Sequence, residues 1–316
     1  MRTLRQPQHS HGQSSRIRWS KAVRALPNHA TSGHGNVWRA ISHNKLSWIG
    51  ILIYLLCIMV ALFAPLIAPF GPDQAVTVAG QWAANAPPGL VSRFGTTSLA
   101  RDIFSQLVFG TRAALLVGLS TAFLVVVTGT IIGLISGYYG GWVDSLLMRL
   151  ADLVLAIPFL PLVIVLVAFW GPSLSHVVLA MGLLWWSDIA RVVRSQVLTL
   201  RERGYVKAAR VSGASDLRIM FVHIAPSVLP TSLLYGALAI GWGILTEASV
   251  AFLGFGDPKI ISWGYMLQDA YISQALSRGA YYWFVPPGIC IMLMVIAGFF
   301  VGRGAEESLR PARRGD

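Results

Sequence analysis

Glu247 stands in the run ILTEASVAFLGFG with no basic residue within a helical turn. A carboxylate set among hydrocarbon is costly, and the chemistry open to it is narrow. It can serve a cation or proton on a translocation path or gate, or it can be protonated or hydrogen-bonded and fasten two helices. Asp152 and Asp188 also lie in apolar runs, but Arg149 and Arg191 each stand three positions away, so a local ion pair is expected for both. Other chemistry is absent by motif. There is no GxxxxGK[ST] loop to cradle phosphates, no HExxH, no GxSxG and no paired-cysteine spacing. Neither catalytic residues nor a metal site is expected in this chain. Cys57 and Cys290 sit inside apolar runs and read as small buried hydrophobes. Five of the seven histidines (His9, His11, His29, His34 and His43) fall in a polar N-terminal tail at irregular spacing, which reads as a flexible segment rather than a ligand set.

A carboxylate in such surroundings must be carried by a membrane-embedded helix. Only 12% of the 316 residues are charged, against roughly a quarter in soluble domains, and mean hydropathy is +0.62. Residues 46–72 hold no charge over 27 positions, roughly 40 Å of helix against a hydrocarbon core of about 30 Å. Hydropathy predicts six spans, at 46–68, 113–136, 149–170, 176–198, 227–253 and 282–302. The fold class is therefore all-α integral membrane. Between the first two spans, the polar segment 69–112 contains the loop signal Asn85-Ala86-Pro87-Pro88-Gly89. Its last part, 102–112, places Ile103, Leu107 and Val108 at helical spacing, and a short interfacial helix is expected there.

Charge fixes the orientation. If the N-terminus is inside, 20 of the 25 Lys and Arg residues fall on the inner side, which the positive-inside rule favours. Both termini are then cytoplasmic, with a basic tail over 1–45 and a second over 303–316, and the chain is a multi-pass protein of the cell (inner) membrane. The net charge of +12 does not point to nucleic acid, because the basic residues flank apolar spans rather than form one soluble face. The second span carries Gly129, Gly133 and Gly137 at four-residue spacing. That small-residue face suits close helix packing, within the chain or across a dimer seam.

The remaining polar interruption runs from Arg201 to Pro230, between the fourth and fifth spans, in a region with seven Lys or Arg between Arg191 and Arg218. It cannot stay in lipid with unpaired backbone and charge. A cytoplasmic helix–turn–helix results, on which a soluble partner could push.

From Phe94 onward the motifs become familiar. FGTTSLARDIFSQLVFGTR, then GYYGGWVDSLLMRLADLVLAIPFLP at 137–161, YVKAARVSGASDLRIMFVHIAP at 205–226, EASVAFLGFG at 247–256 and SWGYML at 262–267 follow one another in order. Together they resemble the permease subunits of bacterial ABC importers in the dipeptide, oligopeptide and nickel branch, second-permease type. The resemblance implies the type I ABC importer permease fold, with a five-helix core over 113–302. It implies two cytoplasmic ATPase subunits, a second six-span permease and an extracytoplasmic solute-binding protein as partners. ATP and Mg would belong to the ATPases, with no cofactor in this chain. It also implies an ATPase-coupling loop over 199–226, with Tyr205, Lys207, Ala208, Ala209, Gly213, Ala214, Ser215, Asp216, His223 and Pro226 as its matching positions. Gly213 would allow the turn, Asp216 would cap the second helix and Pro226 would stop it. The extracytoplasmic signature maps to Gly95, Thr96, Arg101 and Asp102. Three positions depart from the pattern: Lys207 replaces an acidic residue, Ala100 a glycine and Thr97 an acidic residue.

Peptides are the first substrate expected from this resemblance, ahead of oligosaccharides and nickel. The competing class is an autonomous secondary transporter or channel that uses Glu247 and needs no ATPase.

Overall fold

The computed structural model describes residues 45–89 and 91–309. The tail 1–44, with its five histidines, and residues 310–316 lie outside the described residues. Among the described residues ten helices follow in order: α1 Lys45–Leu62, α2 Ala64–Ile67, α3 Ile103–Tyr139, α4 Gly141–Ala156, α5 Phe159–Trp170, α6 Leu174–Leu200, α7 Gly204–Val211, α8 Asp216–Phe255, α9 Trp263–Ile272 and α10 Tyr281–Leu309. Helix α8 contains a π-widened turn at Ile219–Ile224 and ends in a second at Ala251–Phe255, inside which Gly254 leaves helical geometry at φ +95°. The strands β1 Thr77–Val78 and β2 Gln81–Trp82 form one short antiparallel hairpin, with Thr77 opposite Trp82.

Five of these helices (α1, α3, α6, α8 and α10) are long and apolar enough to cross a membrane. The expected third span is not one straight helix. Helices α4 and α5 meet at 90°, and they count as a sixth crossing only if taken together. The cause is local. Pro158 has no N–H to continue the ladder, and Ile157 before it is extended at φ −94° and ψ 135°.

The separate interfacial helix over 102–112 is also corrected. Those residues are the first turns of α3, which runs unbroken for 37 residues, about 55 Å at 1.5 Å per residue. Nothing in the segment can break it. Gly110, the weakest point, is clamped by the Trp263 ring, 2.8 Å from where a Cβ would sit. Asp102 caps the helix by accepting the Ser105 N–H at 2.7 Å.

The bundle is organised around α3. On one side α3 and α6 run parallel along the expected glycine face. A Cβ on Gly129 would lie 2.7 Å from Ile189 Cβ, one on Gly133 2.7 Å from Ala190 O, and one on Gly137 2.7 Å from Val197 Cβ. The small residues thus let two backbones of this chain meet, and the stripe is an internal seam. On the other side α8 packs against α3 and α10, with Thr130 Oγ1 donating to Ser232 Oγ at 2.8 Å. Helix α1 is peripheral. It rests on α10 through Ser47, which donates to Phe300 O at 3.2 Å, and through Gly50, whose Cβ would sit 2.6 Å from Ala297 O.

At one end of the bundle the segment before α3 folds into a platform. Thr96, Thr97 and Asp102 are fully buried there. At the other end lies the α7–α8 hairpin.

Candidate functional site

The hairpin has two chemically distinct faces. Val206, Ile219, Met220 and Ile224 are buried against Leu134, Tyr138, Val193 and Val197 at the ends of α3 and α6. On the opposite face Tyr205, Val211, Leu217, Phe221 and Val222 are exposed, Val211 to 90%. Apolar side chains beside Lys207 and Arg218 on a rooted element make a surface suited to a protein partner.

The turn between the helices is closed by backbone bonds from Gly213 N to Arg210 O at 3.0 Å and from Ala214 N to Ala209 O at 3.1 Å. Gly213 takes φ +81°, the left-handed conformation that ends helices and that glycine accepts without penalty. Two expectations fail here. Ser215, not Asp216, caps α8, accepting the Arg218 N–H at 3.4 Å; Asp216 is already helical and its carboxylate is engaged elsewhere. Pro226 does not stop the helix. The chain widens into a π turn just before it, with Ala225 N–H reaching Met220 O, and this accommodates the missing proline donor without a break. Among the other loop positions, Ala208 is exposed, while Ala209, Ala214 and His223 are half-buried. Lys207 pairs with Glu202 at 3.2 Å on the surface, so its reversed charge has a partner within the chain.

Asp216 is held by a residue that the sequence reading did not single out. Tyr138, the penultimate residue of α3 and nearly buried, donates its hydroxyl to Asp216 Oδ1 at 2.5 Å and accepts from Arg210 Nη2 at 3.3 Å. The Arg210 guanidinium also lies over the Tyr138 ring, 5.7 Å from its centroid. Arg201 Nη1 donates to Gly137 O at 2.9 Å. One tyrosine thus ties both helices of the hairpin to α3. Tyr138→Phe deletes only the hydroxyl, and the lost bond is worth about 1 kcal/mol. The expected result is about five-fold faster amide exchange across α7 and the start of α8, read by exchange mass spectrometry.

The two local ion pairs expected for Asp152 and Asp188 do not form. Arg191 pairs with Asp152 of α4 rather than with Asp188, and Asp152 does not use Arg149. Arg194 makes a fork to Asp144, Nε to Oδ1 at 2.5 Å and Nη2 to Oδ2 at 2.6 Å, and Ser136 donates to the same carboxylate. The bend before α5 folds α4 back along α6, so for Arg191 a carboxylate 39 positions away in sequence outcompetes the neighbour three positions off, and Arg194 meets one 50 positions away.

Phe159, Trp185, Asp188, Tyr235, Leu238 and Trp242 are among the residues that line a cavity of about 690 Å³ between α3, α5, α6 and α8. It is largely apolar, and the rings of Phe159 and Trp185 stack with centroids 4.6 Å apart. Glu247 is not among its lining residues. It is 3% exposed, on the other flank of α8, beside Ser262. Ser262 also caps α9, accepting the Tyr265 N–H at 3.2 Å. Close by, a Cβ on Gly264 would lie 2.5 Å from Ala248 Cα, so α9 rests on the α8 backbone.

In the platform, Gly95 takes φ +76°. Thr96 Oγ1 accepts the Ala86 N–H at 2.9 Å, and Arg101 pairs with Asp73 at 3.2 Å. Asp102 accepts from the hydroxyls of Ser92 and Ser105. The two departures from pattern acquire reasons. Ala100 sits at φ +58°, which explains why glycine suits the position. Thr97 Oγ1 accepts the Leu99 and Arg101 N–H groups at 3.3 and 3.1 Å, the task a carboxylate would perform. Burial pushes the Asp269 carboxyl up from its ordinary range, and nearby Arg101 counters this in part.

Residues 129–315 match the family model described as binding-protein-dependent transport system inner membrane component. Residues 35–88 match that of the N-terminal TM domain of oligopeptide transport permease C. The chain is 34% identical over 289 residues to the dipeptide transport system permease protein DppC of Alkalihalophilus pseudofirmus, covering 89% of this chain and 91% of that protein. It is 36% identical to the di/tripeptide transport system permease protein DppC of Pseudomonas aeruginosa, covering 87% and 90%. It is 37% identical to the oligopeptide transport system permease protein OppC of Bacillus subtilis, covering 86% and 87%.

Proposed function

This chain belongs to the family of binding-protein-dependent transport system inner membrane components, and from that premise we propose that it forms half of the membrane pathway of an ATP-driven peptide importer. It is a permease subunit and not an enzyme. In this reading six crossings carry the chain, with α4 and α5 together making the third. The tails 1–45 and 303–316 and the loop 199–226 face the cytoplasm, and the platform faces outward. Two ATPase subunits supply ATP and Mg chemistry, a second six-span permease completes the path, and a binding protein delivers the solute to the platform. Peptide as cargo is supported by what the similar proteins are named for.

The observation that carries the reading is the two-faced hairpin. Its exposed apolar side offers an ATPase a surface, and its buried side is fixed to α3 and α6 by packing and through Tyr138. A push on the hairpin therefore reaches the helices that line the cavity, by packed contacts rather than through a flexible loop. Gly95, Thr96, Arg101 and Asp102 shape the platform, and Glu247 lies beside Ser262 where α8 meets α9. A secondary transporter that works through Glu247 has no carboxylate on the cavity wall at that position.

The test is mild-detergent purification of the chain from its own membranes, with mass spectrometry of what accompanies it. Stoichiometric ATPase subunits with phosphate-binding loops and a second permease are the expected result. A chain that emerges alone or only with itself would overturn the reading.

A further inference from the structure

Asp188 lies near the middle of α6, fourteen residues after Leu174 and twelve before Leu200, about 20 Å from either end. A carboxylate in a largely apolar wall is costly, and an ion pair with Arg191 would offset the cost. The structure gives Arg191 to Asp152 instead. Among the described residues the exposed Asp188 side chain has no ion pair or hydrogen-bond partner. It lines the 690 Å³ cavity and also an adjoining one of about 310 Å³ beside Pro158, with Phe159 and Trp185 shared by both. Asp188 and Arg191 are the charged residues among those that line the larger cavity, and Arg191 is already paired with Asp152. Trp185 and Trp242 offer π faces in the same wall, and a cation beside an aromatic face is favoured where water is scarce.

Resting on the reading of this chain as a peptide importer's permease, we propose that Asp188 is a recognition site in the pathway for a positively charged group of the solute, in a peptide its free α-ammonium. The carboxylate supplies the counter-charge, and the flanking indoles shield the pair from competing water. The bend between α4 and α5 has a part in this, because it turns Asp152 towards Arg191 and leaves Asp188 free. The importer then selects charge within the membrane.

The test uses the complete importer in proteoliposomes, with binding protein outside, ATP inside and radiolabelled alanyl-alanine as the probe. The readout is peptide moved per ATP hydrolysed, together with the KM for uptake. Asp188→Asn, isosteric at an exposed position, is expected to lower the ratio at least ten-fold and to raise KM. Asp188→Glu should recover most of the loss. A ratio unchanged in Asp188→Asn overturns the proposal. So does a parallel loss of assembled complex, which would make Asp188 a contact to the second permease. A wild-type complex that takes up no peptide overturns the functional reading and this inference with it, before any variant is made.

Discussion

Leucine in place of Gly133 is expected to remove most of the folded chain from the membrane. A Cβ there already falls 2.7 Å from both Ala190 O and Val193 Cβ. One of those atoms is backbone and cannot rotate aside. The seam would have to open along its length, since Gly129 and Gly137 hold the same two helices together one turn away on each side. Overpacking in a well-filled interior costs about 1–3 kcal/mol for added methylenes with side-chain neighbours, and a clash with backbone lies at the upper end or beyond. Recovery of monodisperse protein in detergent should fall at least ten-fold, measured by fluorescence-detected size exclusion. Gly288→Ala is the control, because no atom lies within 4 Å of a Cβ there. If Gly133→Leu is recovered like the control, α3 and α6 do not pack as described.

Valine at Gly213 is expected to abolish transport while leaving insertion intact. The position takes φ +81°, and nothing lies within 4 Å of an added Cβ. The penalty is therefore one of backbone alone, about 1–2 kcal/mol for an L residue in the left-handed region and more for a β-branched one. The hairpin relieves it by changing the angle between α7 and α8, and that moves Val211 and Leu217 on the exposed face. Peptide uptake in proteoliposomes should fall at least ten-fold, with the amount of membrane-inserted chain within two-fold of the parent. Gly213→Asn, which tolerates positive φ, should keep most of the activity. Full uptake by the valine variant would remove the hairpin from the transport cycle.

What could be read from the residues divides along a physical line. Features set by neighbours in sequence were legible: apolar run lengths, the four-residue glycine spacing and the turn at Gly213. Features set by which elements meet in space were not. Nothing near Tyr138 in sequence marks it, because its partners Asp216 and Arg210 lie 78 and 72 positions away. Asp188 and Arg191 have the spacing of a helical pair, and only the return of α4 gives Arg191 a better partner. Glu247 drew attention by its surroundings in sequence, yet those do not say which flank of α8 it occupies. The break at Pro158 was visible as a proline, but averaging hydropathy over a window hides a single residue.

Helix α3 begins at the Asp102 cap beneath the platform and ends at Tyr138 against the hairpin, with no proline in between. Each of its five glycines is buttressed by atoms within 2.9 Å of where a Cβ would be. Such a helix is a lever without a joint. Pivoted at one end, a tilt of about 5° moves the other by about 5 Å over its roughly 55 Å length. An event at either mouth of the bundle is therefore mechanically legible at the other within a single piece of secondary structure, and needs no relay of side chains to carry it.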